Sequence, residues 1–390
     1  MKITKDYPGL IWKEGNELCD QYVLANDLIS DGDIVINLEN DSDFSHQLIV
    51  VGSIIAEGSI VSENDDDIIA FNGIKAGGDI KTEGVVEAGM SIEAGGCIET
   101  DLSVQARYAI EAGGNIKTWN GGIVAGLDIK AGGSIVAGSV IKADGSIEAG
   151  EGIKAGVGIV AGVGIKALDG CVEAGGSVEA GGSIVAGGSI VAGSVIKALE
   201  GRVEAGEGIK AGGSIKALDG SIKADGDIEA GGNIKAHWGV KAGVGIKAGW
   251  NIEAGLKLEA GERIEAGGSI EADGDIEAGS GIKAGGDIEI LDGSIEALEG
   301  SVEADGDIEI RGFINAVGGS VEAGGNIEAG WGIKAGGDIK ALDGSVQVGG
   351  IVEAGGSIEA LDGSIEALDG NVEVSGDIKI RRYINTEECE

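Results

Sequence analysis

Residues 171–190 read Cys171-Val-Glu-Ala-Gly-Gly-Ser-Val-Glu-Ala-Gly-Gly-Ser-Ile-Val-Ala-Gly-Gly-Ser-Ile190. The unit is six residues long: Ile or Val, then Glu, Lys or Val, then Ala, then two small residues, then Ser, Asp or Asn. Ile and Ala stand two apart, so a short strand sends both to one side and the intervening residue to the other. The Gly-Gly or Asp-Gly pair is expected to turn the corner through positive φ, which glycine adopts without steric cost. One strand and one corner cannot bury their Ile alone, but stacked units place Ile over Ile and Ala over Ala in a dry column. This short, fixed period predicts an all-β fold, a long single-stranded parallel β-helix (β-solenoid) of hexapeptide Ile-x-Ala-Gly-x-x repeats.

The composition excludes other readings. The chain of 390 residues holds 77 Gly but 1 Pro, and 3 % aromatics. Collagen needs a three-residue glycine period with abundant Pro, and disorder needs low hydrophobicity, whereas 43 % of this chain is apolar. Some units carry one extra residue, as in Ala-Leu-Asp-Gly at 167–170 and 217–220. Leu199 to Leu218, and Leu342 to Leu361, are each separated by three units plus that residue, and Ile135–Ala155 recurs at Ile190–Ala211, nine units on. Both offsets predict three sides per coil. A further duplication, Ile308–Asn315 at Ile378–Asn385, is offset by eleven units and does not fit that count. Left-handed hexapeptide helices usually place Ser, Thr, Ala or Val four positions after the aliphatic, where this chain has mostly Gly, with its Ala two positions after instead. Parallel crossovers otherwise favour the right hand, so a right-handed coil is expected.

Stretches such as Gly-Ile-Lys-Ala-Gly-Gly-Asp-Ile-Lys (73–81) and Val-Glu-Ala-Gly-Gly-Asn-Ile-Glu-Ala-Gly (321–330) resemble the β-helical repeats of bactofilins and, more closely, the β-helix domain of FapA-like, polymer-forming bacterial proteins. The likeness spans residues 22–386. It implies end-to-end joining into filaments and carries no catalytic residues. This chain is several times longer than the usual bactofilin core.

The repeat breaks at residues 1–21, read as an N-terminal cap before a solenoid over 22–386, with looser repeats at 37–71. Asp65-Asp66-Asp67 reads as a protruding loop. Residues 378–386 read as a capping coil and 387–390 as a tail, with Trp12, Arg381, Arg382 and Tyr383 as candidate end-docking residues. No secretory signal or membrane span is visible, and the four scattered cysteines fit no disulfide or zinc pattern. A cytoplasmic location is therefore expected.

Net charge is −39. This argues against direct nucleic-acid binding and against docking on anionic lipid. The charge is uneven, with residues 207–263 neutral and residues 264–310 at −13. Spread over about 18 coils spaced ~4.8 Å apart, it approaches the linear density of duplex DNA, roughly one charge per 1.7 Å. Two functional readings follow. One is a non-catalytic scaffold whose partner is itself, end to end or laterally. The other is an acidic DNA mimic that inhibits a nucleic-acid enzyme through a basic protein surface.

Catalytic signals are thin. Of the two histidines, His46 and His237, only the latter lies in a regular repeat, and a lone corner His is read as solvated. The carboxylates Glu303, Asp305, Asp307 and Glu309 are one example of an acidic run, but such runs recur too often to mark a hydrolase pair. The Asp-Gly corners lack the nonapeptide spacing of calcium-binding repeats. No cofactor or structural metal is implied, and the chain is read as a non-enzyme. Trp238, Trp250 and Trp331 stand four residues after an aliphatic, at corners, and hint at a contact surface together with the acidic run. With three units per coil, Trp238 and Trp331 fall on one edge, five coils apart.

Overall fold

A computed structural model describes residues 1–13, 19–38, 45–361, 363–368 and 370–380. It divides into two compact units, Met1–Ser194 and Val195–Glu390. Each is a parallel β-solenoid with three faces, here called A, B and C, as the three- and nine-unit recurrences predicted.

In the first unit Ile74–Ala76 lies on face C, Ile80–Thr82 on face A and Val86–Ala88 on face B, and the cycle then repeats. Each strand pairs in parallel with the strand three units later. Ile92 lies beside Ile74 and Ala94 beside Ala76, eighteen residues on. The partner lies nineteen residues on where one corner is longer, as for Val104 and Ile123. Two long corners in one coil make it twenty in the second unit, as for Ile282 and Val302. The inward Ile, Val and Ala side chains are buried throughout the regular coils. A pair of apolar side chains per three-residue strand makes a core narrow enough to be filled without aromatics.

The second unit places Ile234–Ala236 on face B, Val240–Ala242 on face C and Ile246–Ala248 on face A. Leu199 and Leu218 both lie at its B–C corner, and Leu342 and Leu361 both at its A–B corner. The eleven-unit duplication keeps to the same rule by changing face: Ile308–Ile310 lies on face B and Ile378–Ile380 on face A.

Two expectations are corrected. Corner glycines do not take positive φ; among the described residues only Gly9 does. Glycine serves close stacking instead. A Cβ on Gly95 would lie 2.1 Å from the carbonyl oxygen of Gly77 one coil away, and one on Gly113 would lie 2.2 Å from that of Gly95. Consecutive corners therefore nest backbone against backbone. Nor do Asp65–Asp67 form a protruding loop. Asp66 is fully buried, and Asp67 begins the strand Asp67–Ala70 opposite Gln47. The Asp66 carboxylate is drawn inward by polar partners: it accepts from the Ser62 hydroxyl (3.0 Å) and the Leu38 N–H (3.4 Å), and it lies 3.5 Å from His46 Nδ1. Burial pushes its pKa up.

The first unit opens with Lys2–Thr4 parallel to Ile34–Asn37, while Leu10–Lys13 runs antiparallel to Cys19–Leu24. Trp12 is exposed on that antiparallel strand. In the last described strands the aliphatics Val372, Ile378 and Ile380 are exposed. Residues 381–390, with Arg381, Arg382, Tyr383, the end of the capping coil and the tail, lie outside the described residues, as do 14–18 of the N-terminal cap.

Candidate interaction surface

The middle residue of each strand points outward, so every face carries a column of side chains one strand spacing apart, ~4.8 Å. Position along the chain does not reveal these columns, because neighbours in a column are eighteen to twenty residues apart.

In the second unit face A alternates in sign: Lys210, Glu229, Lys247, Glu265, Lys283 and Glu303 lie in register. Ion pairs follow at Lys210–Glu229 (2.7 Å) and Lys283–Glu303 (3.3 Å). Face C also carries both signs, with Lys241–Glu259 at 2.6 Å and Lys334–Glu353 at 2.9 Å.

Face B is polarised. Its column begins Lys197, Lys216, Lys235 and continues Glu253, Glu271, Glu289, Glu309, Glu328. Lys235 pairs with Glu253 at the junction. Among the described residues, Lys197 and Lys216 make no ion pair, and neither do Glu271, Glu289 and Glu309. Like charges at one strand spacing repel. The Glu271 pKa is raised, first by partial desolvation and then by Glu253 and Glu289.

The B–C corner beside this face is apolar. Leu199, Leu218, Trp238, Leu256 and Leu291 are all exposed there, and further along Phe313 meets Trp331 edge to face at 5.7 Å. At one level, between Leu256 and Leu291, the corner is Asp273-Gly274 and the ridge is interrupted. A groove of about 500 Å³ lies at this notch, lined by Lys235, Trp238, Glu253, Leu256, Glu271 and Leu291, among others.

Trp238 and Trp331 lie on this same B–C edge, five coils apart, with 56 % and 65 % exposure. Trp250, at 67 %, stands at the A–B corner instead. The acidic run is divided by the fold. Glu303 points from face A and Glu309 from face B, while Asp305 is exposed at the corner between them. Asp307 is partly structural: its Oδ1 accepts the Asn326 N–H at 2.6 Å, and its own N–H donates to Asp287 Oδ1 at 2.9 Å. His237 is exposed at the edge of the notch.

Sequence reading missed a role for the sixth repeat position. At the C–A corner of the first unit, Ser59, Asp79, Cys97, Asn115 and Ser134 form a ladder in which each side chain accepts the next residue's backbone N–H. The restriction of this position to short, acceptor-bearing residues was the available signal. Cys97 and Cys171 are free thiols in such slots. Among the described residues, no group of three or more His, Cys, Asp or Glu could hold a metal ion, and no helix is long and apolar enough to cross a membrane.

Compared with family models, curated proteins and solved structures, the chain matches none. The class it defines is the three-faced parallel β-solenoid, and its likeness to bactofilin and FapA-like repeats rests on the repeat alone.

Proposed function

We propose that the chain is a non-catalytic structural solenoid that assembles with further copies of itself. The observation that carries this reading is the exposed apolar edge beside face B of the second unit, where Leu199, Leu218, Trp238, Leu256 and Leu291 line one corner. Contiguous apolar surface of this kind marks contact sites. The exposed strand Ile378–Ile380 pairs with Ile358–Ala360 and has no second partner strand among the described residues, and an edge of that kind can template another strand. The right-handed sense and a cytoplasmic location belong to the same proposal. Light scattering over a concentration series, with negative-stain imaging, tests it: assemblies that grow with concentration are expected, and a strictly monomeric protein would refute it.

The glutamate column on face B favours a second reading, a decoy for a basic groove. Salt-sensitive inhibition of a DNA-processing enzyme is then expected; absent or salt-insensitive inhibition removes it. The lysine run on the same face and the alternating charges of face A weigh against it.

A further inference from the structure

Face B of the second unit reverses its charge along the stacking direction, and this restricts how two copies can meet. A two-fold axis parallel to the stack would set Lys197 and Lys216 against themselves and glutamates against glutamates. A two-fold axis along the strands reverses the stacking order of one copy. It sets the lysine run against the glutamate run and keeps both B–C edges on one side. Such isologous pairing is the commonest form of self-association.

We propose that this face and edge form an antiparallel, two-fold interface with a second copy of the chain, centred on the level of Ile252–Ala254. The inference rests on the self-assembling reading above and names its surface. About that centre, Lys197 meets Glu309 of the other copy, Lys216 meets Glu289, and Lys235 meets Glu271. Glu253, on the axis, meets its own counterpart, with each already paired to Lys235 of its own chain. Of the residues so paired, Lys197, Lys216, Glu271, Glu289 and Glu309 have no ion pair within the described chain, while Lys235 already pairs with Glu253. The ridge falls into step: Leu256 meets Leu256, and Leu218 meets Leu291. Trp238 lies opposite Asp273-Gly274, so its indole enters the notch of about 500 Å³ that interrupts the other copy's ridge. A central aromatic in a pocket ringed by charged pairs is the arrangement of an interface hot spot.

Seven levels at ~4.8 Å span roughly 29 Å between the outermost. With a width near 15 Å the interface buries on the order of 1,000 Å² in total, at the small end for specific complexes. A reversible dimer is therefore expected at micromolar protein concentrations or above. At 0.15 M salt the Debye length of about 8 Å screens repulsion between the remaining carboxylates, while contact pairs persist.

The test is a charge exchange on the full-length chain, read by sedimentation and light scattering in 0.15 M salt. One variant carries Lys197→Glu and Lys216→Glu, the other Glu289→Lys and Glu309→Lys. All four side chains point outward, and circular dichroism checks that the fold is intact. Each variant alone is expected to lose the dimer, since like charges then face each other. Their equimolar mixture is expected to restore it, because all four contacts become complementary again. Trp238→Ala should weaken the wild-type dimer at least tenfold. Variants that still assemble like the wild type, or a mixture that stays monomeric, would overturn this interface while leaving assembly through another surface standing. A wild type that is monomeric at every concentration removes both this inference and the scaffold reading. That result with tight polylysine binding would assign the face to a foreign basic partner.

Discussion

At the scale of the residue, the hexapeptide's least conspicuous position has a specific duty. Asp79 accepts the Cys97 N–H at 2.8 Å, and Asp338 accepts the Ser357 N–H at 2.8 Å. These backbone bonds are the leading cause of the lowered pKa of both carboxylates. A neutral amide can do the same work, as Asn115 does for Ser134 at 2.8 Å. Asp79→Ala should therefore destabilise the chain by about 1 kcal/mol at neutral pH, the usual net worth of such a bond, while Asp79→Asn stays within a few tenths. Chemical denaturation of both variants measures the difference. Because the folded pKa lies below the ordinary value, the carboxylate's advantage holds at neutrality and fades as pH falls through the folded pKa. The fold itself was legible at this scale, since Ile and Ala at a spacing of two specify a strand with one buried side. The corner chemistry was not. Positive φ and close backbone approach both call for glycine, and only the folded chain separates them, with the Gly95 corner packed on the Gly77 carbonyl and no positive φ at either.

At the scale of the element, the strand's middle residue makes no contribution to the core, and its partners are set by the count of units modulo three. This is why the interaction surface was only partly readable. The linear tally found residues 264–310 acidic, yet it could not assign Glu303 to a lysine-paired column and Glu309 to an unrelieved one. Long corners shift the register by a residue without changing the face, so columns emerge only after every insertion is placed. Within the face B column, Glu271 is held above the ordinary glutamate range by desolvation and by Glu253 and Glu289. The folded chain therefore binds this proton more tightly than the unfolded chain, and stability falls as pH rises from the ordinary range through the raised value. Glu271→Gln should raise the thermal midpoint at pH 7, with the gain vanishing below about pH 4, where the glutamate too is neutral. An equal gain at both pH values would refute the charge-based explanation.

At the scale of the whole molecule, 67 acidic residues face 28 basic ones. Even complete pairing would leave 39 carboxylates without a cation. The ion pairs on faces A and C are exposed, and pairs of that kind contribute at most about 1 kcal/mol each. Salt weakens them, but it also screens the repulsion among the excess carboxylates. The second effect should prevail, so the thermal midpoint is expected to rise as NaCl goes from 10 to 300 mM. A falling midpoint would show that the ion-pair columns dominate.

The segment at Ile308–Ile310 recurs eleven units along the chain, at Ile378–Ile380, and lies there on a different face. A slippage event of three, six or nine units lengthens an existing column. Any number that is not a multiple of three turns the copied pattern by a third of a revolution in one sense or the other. The buried residues are indifferent to which occurs, since every side of the interior asks for the same Ile and Ala. The gene can thus move a patch of surface around the circumference in one duplication, leaving the packing that holds the coil together unchanged.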